Sequence, residues 1–327
     1  MKPDLLQVRG LEVQFVTRRG LVRAVDQVDL TLRPGERFGL VGESGSGKTT
    51  LLLALLRMIR EPGHIAAGQV LLDGVDLLQL GEEEVRQMRL AKIAMVPQGA
   101  MNSLNPLMRV GDQIALSMRE HRQGREAGHP APPVAELLEL VGLRPQTARL
   151  YPHELSGGMK QRVCIAIAIS LRPRLILADE PTSALDVVVQ RKIMQTLHSL
   201  QERLDATVLL VGHDMGLMAQ FAQRMGIMYG GRLVEVGPVE EIFGSPRHPY
   251  TRMLIASVPS FARRGVYAGI PGGAVSLLNP PGGCLFHPRC PQAGPQCSRV
   301  APALRSVVPG QQVACLLAEK GPRAAAP

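Results

Sequence analysis

Short apolar runs bounded by glycine or charged residues fill the first 97 residues and return between residue 173 and about residue 240. Several of them, such as LILAD and TVLLVGH, are apolar throughout, which is typical of strands buried on both faces. The strand-like segments are LLQVRGLEVQF, QVDLTLR, RFGLVG, QVLLDG, KIAMVPQ, LILAD and TVLLVGH, and IMYGGRLVEVG reads as a hairpin. The pattern predicts an α/β protein.

The middle of the chain, from about residue 99 to residue 172, has helical spacing instead. VGDQIALSMREH and VAELLELVGL place apolar residues three and four positions apart, and the Gly-, Pro- and His-rich stretch between Gln123 and Pro133 predicts a loop. Another helix is expected over Val187 to Leu204. These patterns predict a helical subdomain set within a strand-rich core.

Composition narrows the class of protein. The 327 residues exceed one typical domain, so one large domain with a smaller appendage is expected. The net charge is +9, but Lys and Arg are dispersed and aromatic residues make up 3%, which disfavours nucleic-acid binding. The apolar stretches are far shorter than the roughly 20 residues that span a bilayer, and the amino terminus lacks a signal-peptide pattern. We expect a cytoplasmic chain with a basic surface beside a membrane.

The segment GESGSGKTT follows a strand-like run and precedes LLLALL, as in a phosphate-binding loop of the form G-x-x-x-x-G-K-[ST]. Successive backbone N–H groups and the helix N-terminus would face phosphate oxygens, Lys48 would reach the terminal phosphates, and Thr49 would bind Mg²⁺. The alternative is a glycine turn before a buried helix. The predicted phosphate-binding residues are Gly42, Glu43, Ser44, Gly45, Ser46, Gly47, Lys48, Thr49 and Thr50.

Two carboxylates, Asp179 and Glu180, close the buried run LILADE. Asp179 is predicted to hold Mg²⁺ through water, and Glu180 to polarise the water that attacks the terminal phosphate. The alternative is a solvated acidic turn before Pro181.

LSGGMKQR, from Leu155 to Arg162, resembles the signature of ATP-binding-cassette (ABC) ATPases, with Met159 where Gln is usual. Ser156, Gly157 and Gly158 open a predicted helix, so their amides form an anion site at its N-terminus. The resemblance implies that this site, formed with Met159, grips ATP held by a second cassette in a head-to-tail dimer. An N-capped core helix is compatible with the same residues. The implied fold is a P-loop NTPase ABC cassette: a RecA-like core with an antiparallel β subdomain and a helical subdomain.

Further positions follow from the resemblance. Phe15 matches the aromatic residue that stacks on adenine, although a core-facing strand Phe is an equal alternative. Gln98 matches the loop glutamine that senses Mg²⁺ and the membrane subunit, and His213 the switch histidine that contacts the γ-phosphate. Glu180, His213 and Gln98 are thus the catalytic set, and Thr49, Gln98 and Asp179 the Mg²⁺ set. The loop that crosses the dimer joint is matched by Ser183, Ala184, Leu185 and Asp186.

Three other stretches, GAMNSLNPLMRVGDQI, YPHELSGGMKQR and SPRHPYTRMLIASVP, closely resemble the ATPase subunits of oligopeptide and dipeptide importers, over essentially the whole chain. Residues 1–245 would form the nucleotide-binding domain, with the helical subdomain at about 99–172. Residues 246–327 would form a C-terminal extension. The resemblance places a permease contact at Asn102 to Met108, whereas HPYTRML reads as a Pro-started helix without assignable chemistry.

Four of the five cysteines, Cys284, Cys290, Cys297 and Cys315, lie in the last 44 residues. Disulfides are disfavoured in a reducing cytosol, whereas four thiolates can hold zinc or an iron–sulfur cluster, and the absence of a C-x-x-C pair weakens the zinc reading. Free structural thiols are the remaining alternative. The resemblance implies a 4Fe-4S cluster on these cysteines.

The resemblance also implies the assembly: a second ABC ATPase subunit, expected to form a heterodimer, two membrane permease subunits and an extracytoplasmic solute-binding protein, with no nucleic acid. The chain would use ATP and Mg²⁺ at the cytoplasmic face of the cell membrane to power import of dipeptides or oligopeptides. Nickel, glutathione or oligosaccharide import, or a soluble ABC ATPase without transport, are the alternatives. The stretch after Gln98 favours a permease partner.

Overall fold

The computed structural model describes residues 3–99, 103–121, 132–257 and 269–318. Two compact units divide the chain: the first comprises residues 1–7, 31–37 and 71–211, and the second residues 8–30, 38–70 and 212–327. Among the described residues, no helix has the length and apolar content needed to span a bilayer.

The first unit is built on three parallel strands, β6 (Ile93–Val96), β7 (Leu175–Asp179) and β8 (Thr207–Gly212). All of β7 and β8 is buried, as the uninterrupted apolar runs predict. The register sets Val96 beside Ala178 and Asp179 beside Val211. Because parallel strands end at the same edge of a sheet, the residues that follow β6 and β7 meet there.

Helices complete this unit. Their bounds are α2 (Glu82–Met88), α3 (Val110–Glu120), α4 (Val134–Leu140), α5 (Gly157–Ile169) and α6 (Val187–Leu204). Short 3-10 turns lie at Pro145–Arg149 and Pro152–Glu154. The helices α3 and α4 pack on α5, so the predicted helical segments surround the helix that follows LSGG. The predicted loop between Gln123 and Pro133 lies almost wholly outside the described residues.

In the second unit β3 (Arg37–Val41) runs parallel to β9 (Arg224–Tyr229), which pairs antiparallel with β10 (Arg232–Pro238). The pairing of Arg232 with Tyr229 confirms the predicted hairpin. The C-terminal extension then adds β12 (Gln311–Val313) to β10 and β11 (Arg305–Val308) to β12, both antiparallel. These two strands are too short to have been visible in the sequence pattern.

The strands β1 (Leu6–Thr17), β2 (Gly20–Leu32) and β4 (Gly63–Leu72) lie mostly in the second unit, in the order β2-β1-β4, and the end of β4 pairs with β5 (Val75–Asp76). The helices of this unit are α1 (Lys48–Leu55), α7 (Met215–Phe221), α8 (Val239–Gly244) and α9 (Pro249–Ala256). As HPYTRML predicts, α9 has Pro249 in its first turn, and His248 caps it by accepting the Tyr250 N–H at 3.1 Å.

Candidate nucleotide site

The loop between β3 and α1 is shaped by close backbone packing. Gly47, at φ 100°, is the N-cap of α1, and a side chain there would collide with the Ala24 carbonyl oxygen of β2. A side chain at Gly42 would collide with the Met228 carbonyl oxygen of β9. Ser46 is 4% exposed, and its carbonyl accepts the Gly231 N–H at 3.0 Å. The glycines therefore let the loop lie directly on two strands and the β9–β10 turn.

Lys48 lies at the centre of this loop and is 6% exposed. Its Nζ donates to the carbonyl oxygens of Gly42 at 2.8 Å and Glu43 at 2.9 Å, and to Ser46 Oγ at 3.4 Å. These bonds hold the Lys48 ammonium among the oxygens of the loop, next to the backbone amides that would face an anion. Thr49 is exposed in the first turn of α1, beside the positive end of the helix.

Gln98 and Glu180 come together at the carboxyl edge of the β6–β7 pair. Gln98 Nε2 donates to Glu180 Oε2 at 3.1 Å. Asp179 ends β7 and is 1% exposed, whereas Glu180 is half-buried and Gln98 is exposed. Glu180 has a φ of 42°, so the backbone leaves the extended conformation directly after β7, and its N–H donates to the Val211 carbonyl at 2.9 Å. The buried carboxylate of Asp179 is thus followed in the chain by the more accessible carboxylate of Glu180.

Ser156 is the N-cap of α5, and its Oγ accepts the Met159 N–H at 3.3 Å, as LSGGMKQR predicts. A side chain at Gly158 would collide with Val189 Cγ1, so the start of α5 lies against the start of α6. Asp186 caps α6 by accepting the Val189 N–H at 2.9 Å. The loop before it, from Ser183, includes Ala184 at φ 61°. The structure therefore brings the signature and the predicted dimer loop side by side, with Ser156 exposed.

His213 is exposed directly after β8, and Asp214 beside it caps α7 by accepting the Leu217 N–H at 3.0 Å. Phe15 is half-buried in β1, and its ring lies against Gly63 of β4, where a side chain would collide with it. Part of the ring remains accessible, so strand packing and base stacking both fit. Asn102 lies outside the described residues, whereas Leu107 is 85% exposed on a turn that Gln113 holds by bonds to Asn105 and Met108.

The comparisons decide the family. Residues 25–183 match the ABC transporter family model, and residues 234–297 match the C-terminal region of oligopeptide/dipeptide transporters. The dipeptide transport ATP-binding protein DppD of Escherichia coli K12 is 41% identical over 314 residues, covering 95% of this chain and 96% of DppD. DppD of Haemophilus influenzae is 41% identical over 306 residues, 93% of this chain and 92% of the relative.

The chain belongs to the ABC transporter family. A solved dimeric structure of the ATP-binding cassette MJ0796, bound to ADP and Pi, is 29% identical and has a TM-score of 0.62, covering 72% of this chain and 98% of that one. The ABC cassette fold predicted from GESGSGKTT and LSGGMKQR is therefore confirmed. Within this ABC chain Phe15, the phosphate loop and His213 lie in the second unit, and Gln98, Asp179, Glu180 and the signature lie in the first.

The four cysteines of the C-terminal extension line one enclosed cavity of about 10 Å³, together with His248 and Phe286. All are free thiols, and burial raises the pKa of Cys284 to about 11 and also raises those of Cys290 and Cys315. Among the residues that the structure describes, no group of three or more His, Cys, Asp or Glu side chains is arranged to hold a metal ion. The clustering predicted from the sequence is present, and the 4Fe-4S cluster itself is not supported.

Sequence reasoning missed two side chains that contact the phosphate loop. Tyr250 Oη accepts the Glu43 N–H at 3.0 Å, and the Arg289 guanidinium pairs with the Glu43 carboxylate. They lie 207 and 246 residues from Glu43 in the chain, so no local pattern could have revealed them.

Proposed function

We propose that this chain is the ATP-hydrolysing subunit of an importer that carries dipeptides or oligopeptides across the cytoplasmic membrane. The cassette by itself is common to ATPases with many roles. What supports a peptide importer is the match of residues 234–297 to the C-terminal region of oligopeptide/dipeptide transporters, together with relatives named for dipeptide transport that align over more than nine tenths of the chain.

ATP binding is assigned to the phosphate loop. The amides from Gly42 to Thr50 and the N-terminus of α1 would surround the phosphates, and Lys48 would transfer its hydrogen bonds from loop carbonyls to phosphate oxygens. Thr49, Asp179 and Gln98 supply only oxygen ligands, which suits Mg²⁺. When bound, that ion would neutralise charge on the phosphates. Phe15 is the proposed base-stacking residue, and His213 the proposed contact of the γ-phosphate.

Hydrolysis is assigned to Glu180. Its carboxylate stands at the accessible edge of the sheet, and the Gln98 amide fixes one oxygen at 3.1 Å. An oriented carboxylate can accept a proton from water as that water attacks phosphorus. Asp179, 1% exposed, is too buried for this role and is proposed to act on Mg²⁺.

The exposed signature lacks a phosphate partner in its own sequence neighbourhood, so we propose that Ser156 to Met159 bind the ATP of a second cassette, with Ser183 to Asp186 at the joint. The MJ0796 cassette is a dimer bound to ADP and Pi. A different polypeptide is the proposed partner here, with two permeases, an extracytoplasmic solute-binding protein and no nucleic acid. Exposed Leu107, in the stretch Asn102 to Met108, is the proposed permease contact at the cytoplasmic face.

We further propose that Cys284, Cys290, Cys297 and Cys315 hold a 4Fe-4S cluster. Backbone N–H groups two residues ahead point at three of the sulfurs: Phe286 at Cys284, Gln292 at Cys290 and Leu317 at Cys315, the last at 3.4 Å. Such bonds stabilise thiolates and are a means of tuning cluster potentials. A cluster is larger than the cavity of about 10 Å³ that these cysteines line, so the proposal includes a widening of this cavity when a cluster binds.

Gene deletion with growth on peptides as the required amino-acid source tests the transport proposal. Loss of growth, restored by the wild-type gene and not by Glu180→Gln, is expected. Normal peptide uptake combined with loss of nickel, glutathione or oligosaccharide uptake would transfer the same ATPase role to that substrate. Normal uptake of all four would contradict an importer.

Anaerobic purification tests the cluster. Brown protein with about four irons per chain is expected, and Cys290→Ser should lose them. Stoichiometric zinc, or metal-free protein with four reactive thiols, would overturn the assignment and leave the cassette unaffected.

A further inference from the structure

Glu43, the second residue of the phosphate loop, connects three parts of the second unit. Its carbonyl oxygen accepts Lys48 Nζ at 2.9 Å and the Ser46 N–H at 3.2 Å. Its N–H donates to Tyr250 Oη at 3.0 Å, and its carboxylate accepts two hydrogen bonds from Arg289. A displacement of Glu43 would therefore move the acceptor of the lysine that is proposed to bind the terminal phosphates.

The pair between Arg289 and Glu43 has the geometry of a strong interaction. Nη1 lies 2.8 Å from Oε2 and Nη2 lies 2.9 Å from Oε1, so the guanidinium is bidentate. The Arg289 side chain is 8% exposed and that of Glu43 is 26% exposed, which limits screening by solvent. The carboxylate and the Tyr229 hydroxyl raise the pKa of Arg289 further, so this cation does not titrate in the physiological range.

Three rings fix the position of this pair. Tyr229, Tyr250 and Phe286 pack with centroids 4.7 to 5.3 Å apart, and the Arg289 guanidinium lies 5.8 Å from the centre of the Tyr229 ring. Such offset and edge-on aromatic contacts add to the stability gained from burial and limit the movement of the three rings. Arg289 Nε also donates a hydrogen bond to the Pro271 carbonyl at 2.8 Å, which holds the other edge of the guanidinium.

The helix that carries Tyr250 is itself anchored. Glu235, fully buried in β10, accepts the N–H groups of Arg247 at 2.7 Å and His248 at 2.9 Å, and Gln311 Nε2 at 2.8 Å. This network fixes the start of α9 on the sheet. Two segments of the C-terminal extension thus contact the phosphate loop, one through the Glu43 N–H and one through the Glu43 carboxylate.

We infer that Arg289 and Tyr250 are positioning residues of the ATP site, which hold Glu43, and through its carbonyl Lys48, in the conformation that receives phosphate. The inference rests on the proposed ATP binding. It gives HPYTRML a role, since the tyrosine of that segment holds the loop amide. It also makes the C-terminal extension part of the nucleotide site, with Cys290 adjacent to Arg289 and Phe286 shared by the ring support and the thiol-lined cavity.

Nucleotide titration of the full chain tests this, with a fluorescent ATP analogue and Mg²⁺. Loss of a charge-assisted bidentate pair should weaken binding about tenfold to a hundredfold in Arg289→Ala, since such bonds contribute roughly 1.5–3 kcal/mol. Arg289→Lys should restore part of the affinity, because lysine keeps the positive charge but cannot make the two parallel hydrogen bonds of the guanidinium. Arg299→Ala, an exposed arginine of the same extension, is the matched control and should bind as wild type.

A variant at the second contact keeps the test decisive if Arg289→Ala folds poorly. Tyr250→Phe preserves the ring packing and removes the hydroxyl that accepts the Glu43 N–H, so a smaller loss of affinity is expected, together with a small fall in melting temperature. In steady-state turnover, KM for ATP should rise while kcat changes little. The double variant Glu43→Gln/Arg289→Ala should lose no more affinity than Arg289→Ala.

Wild-type affinity in folded Arg289→Ala and Tyr250→Phe would overturn the inference and leave ATP binding intact. A loss of affinity in the double variant that is clearly larger than that of Arg289→Ala, or an equal loss in Arg299→Ala, would also overturn it. Absence of ATP binding in the wild type would instead refute the proposed function.

Discussion

The phosphate loop and the Glu180 site differ in how firmly the chain itself holds them. Lys48 is almost wholly buried, its ammonium donates to three loop oxygens, and the loop lies directly on the strands and on the C-terminal extension. Glu180 is half-buried beside exposed Gln98, with a φ in the left-handed region. The loop is held by many contacts within its own unit, whereas Glu180 is only half-buried at the end of β7.

We therefore expect ATP binding and ATP hydrolysis to be separable in this cassette. The loop depends on packing within one unit, which a folded single chain provides. Hydrolysis needs a water, a phosphate and, on our proposal, a second cassette to be aligned with an accessible side chain. Variants at the two sites should therefore fail in different ways.

Among variants of the phosphate loop and its supports, Lys48→Ala should cause the largest loss of ATP affinity. Removing the buried charge leaves the loop without its central donor, and loss of such a partner costs roughly 2–5 kcal/mol, so ATP affinity should fall by about two orders of magnitude or more. Equilibrium titration measures this, with the exposed α6 variant Lys192→Ala as control. Affinity within a factor of about two of wild type would contradict the assigned role of the loop lysine.

Ser156→Arg should abolish ATP-driven dimerisation while ATP binding to the chain's own phosphate loop persists. A long cation at this exposed N-cap removes the Met159 hydrogen bond and fills the site for the opposite nucleotide, while the chain's own phosphate loop is untouched. Gel filtration with ATP and the partner cassette should show no dimer, although ATP binding persists. Gln195→Arg on exposed α6 is the control, and a dimer in Ser156→Arg would refute a composite site.

Glu235→Ala should weaken the support of the loop without touching it. Three hydrogen-bond donors would be left without their buried acceptor, which costs on the order of 3 kcal/mol of unfolding free energy. Thermal and urea unfolding measure the effect. A melting temperature unchanged from that of wild type would show that Glu235 does not anchor α9.

The buried Glu235 should also make the stability of the folded protein depend on pH, and the direction follows from the shift of its pKa. Burial raises its pKa in the folded protein, so the folded state binds this proton more tightly than the unfolded chain. The contribution to stability is complete below the unfolded pKa and is lost as the pH rises through the folded one. Relative to wild type, neutral Glu235→Gln should therefore gain stability from pH 4 to pH 8, and an opposite trend would contradict the burial argument.

Phe15→Ala should have the smallest effect on ATP affinity. It distinguishes stacking of this ring on adenine from packing within the strands. If the ring stacks on adenine, ATP affinity should fall about threefold to tenfold, since aromatic contacts of this kind are worth roughly 0.5–1.5 kcal/mol. If the ring only packs between β1 and β4, the melting temperature should fall and the affinity for ATP should stay unchanged. We expect the first outcome, because part of the ring is accessible beside Gly63.

The parts that the sequence predicted are those encoded locally. The bounds of α6, Val187 to Leu204, coincide with the prediction, and Ser156 caps α5 because its own residue type and the glycines after it favour a helix start. The contact between Glu43 and Arg289 joins residues that lie 246 positions apart in the chain, so no local pattern predicts it. The strands Gln311–Val313 and Arg305–Val308 are defined by their partners, β10 for the first and β12 for the second, rather than by their own apolar pattern.

The most direct test of the account is Glu180→Gln, studied with the partner cassette present. Because the phosphate loop is intact and only the proton acceptor is lost, the variant should bind ATP with wild-type affinity and turn over about 10²- to 10⁴-fold more slowly, trapping the closed dimer. The measurement is ATP affinity and phosphate release on one preparation. Hydrolysis at the wild-type rate with normal binding would contradict the assignment of Glu180 as the base.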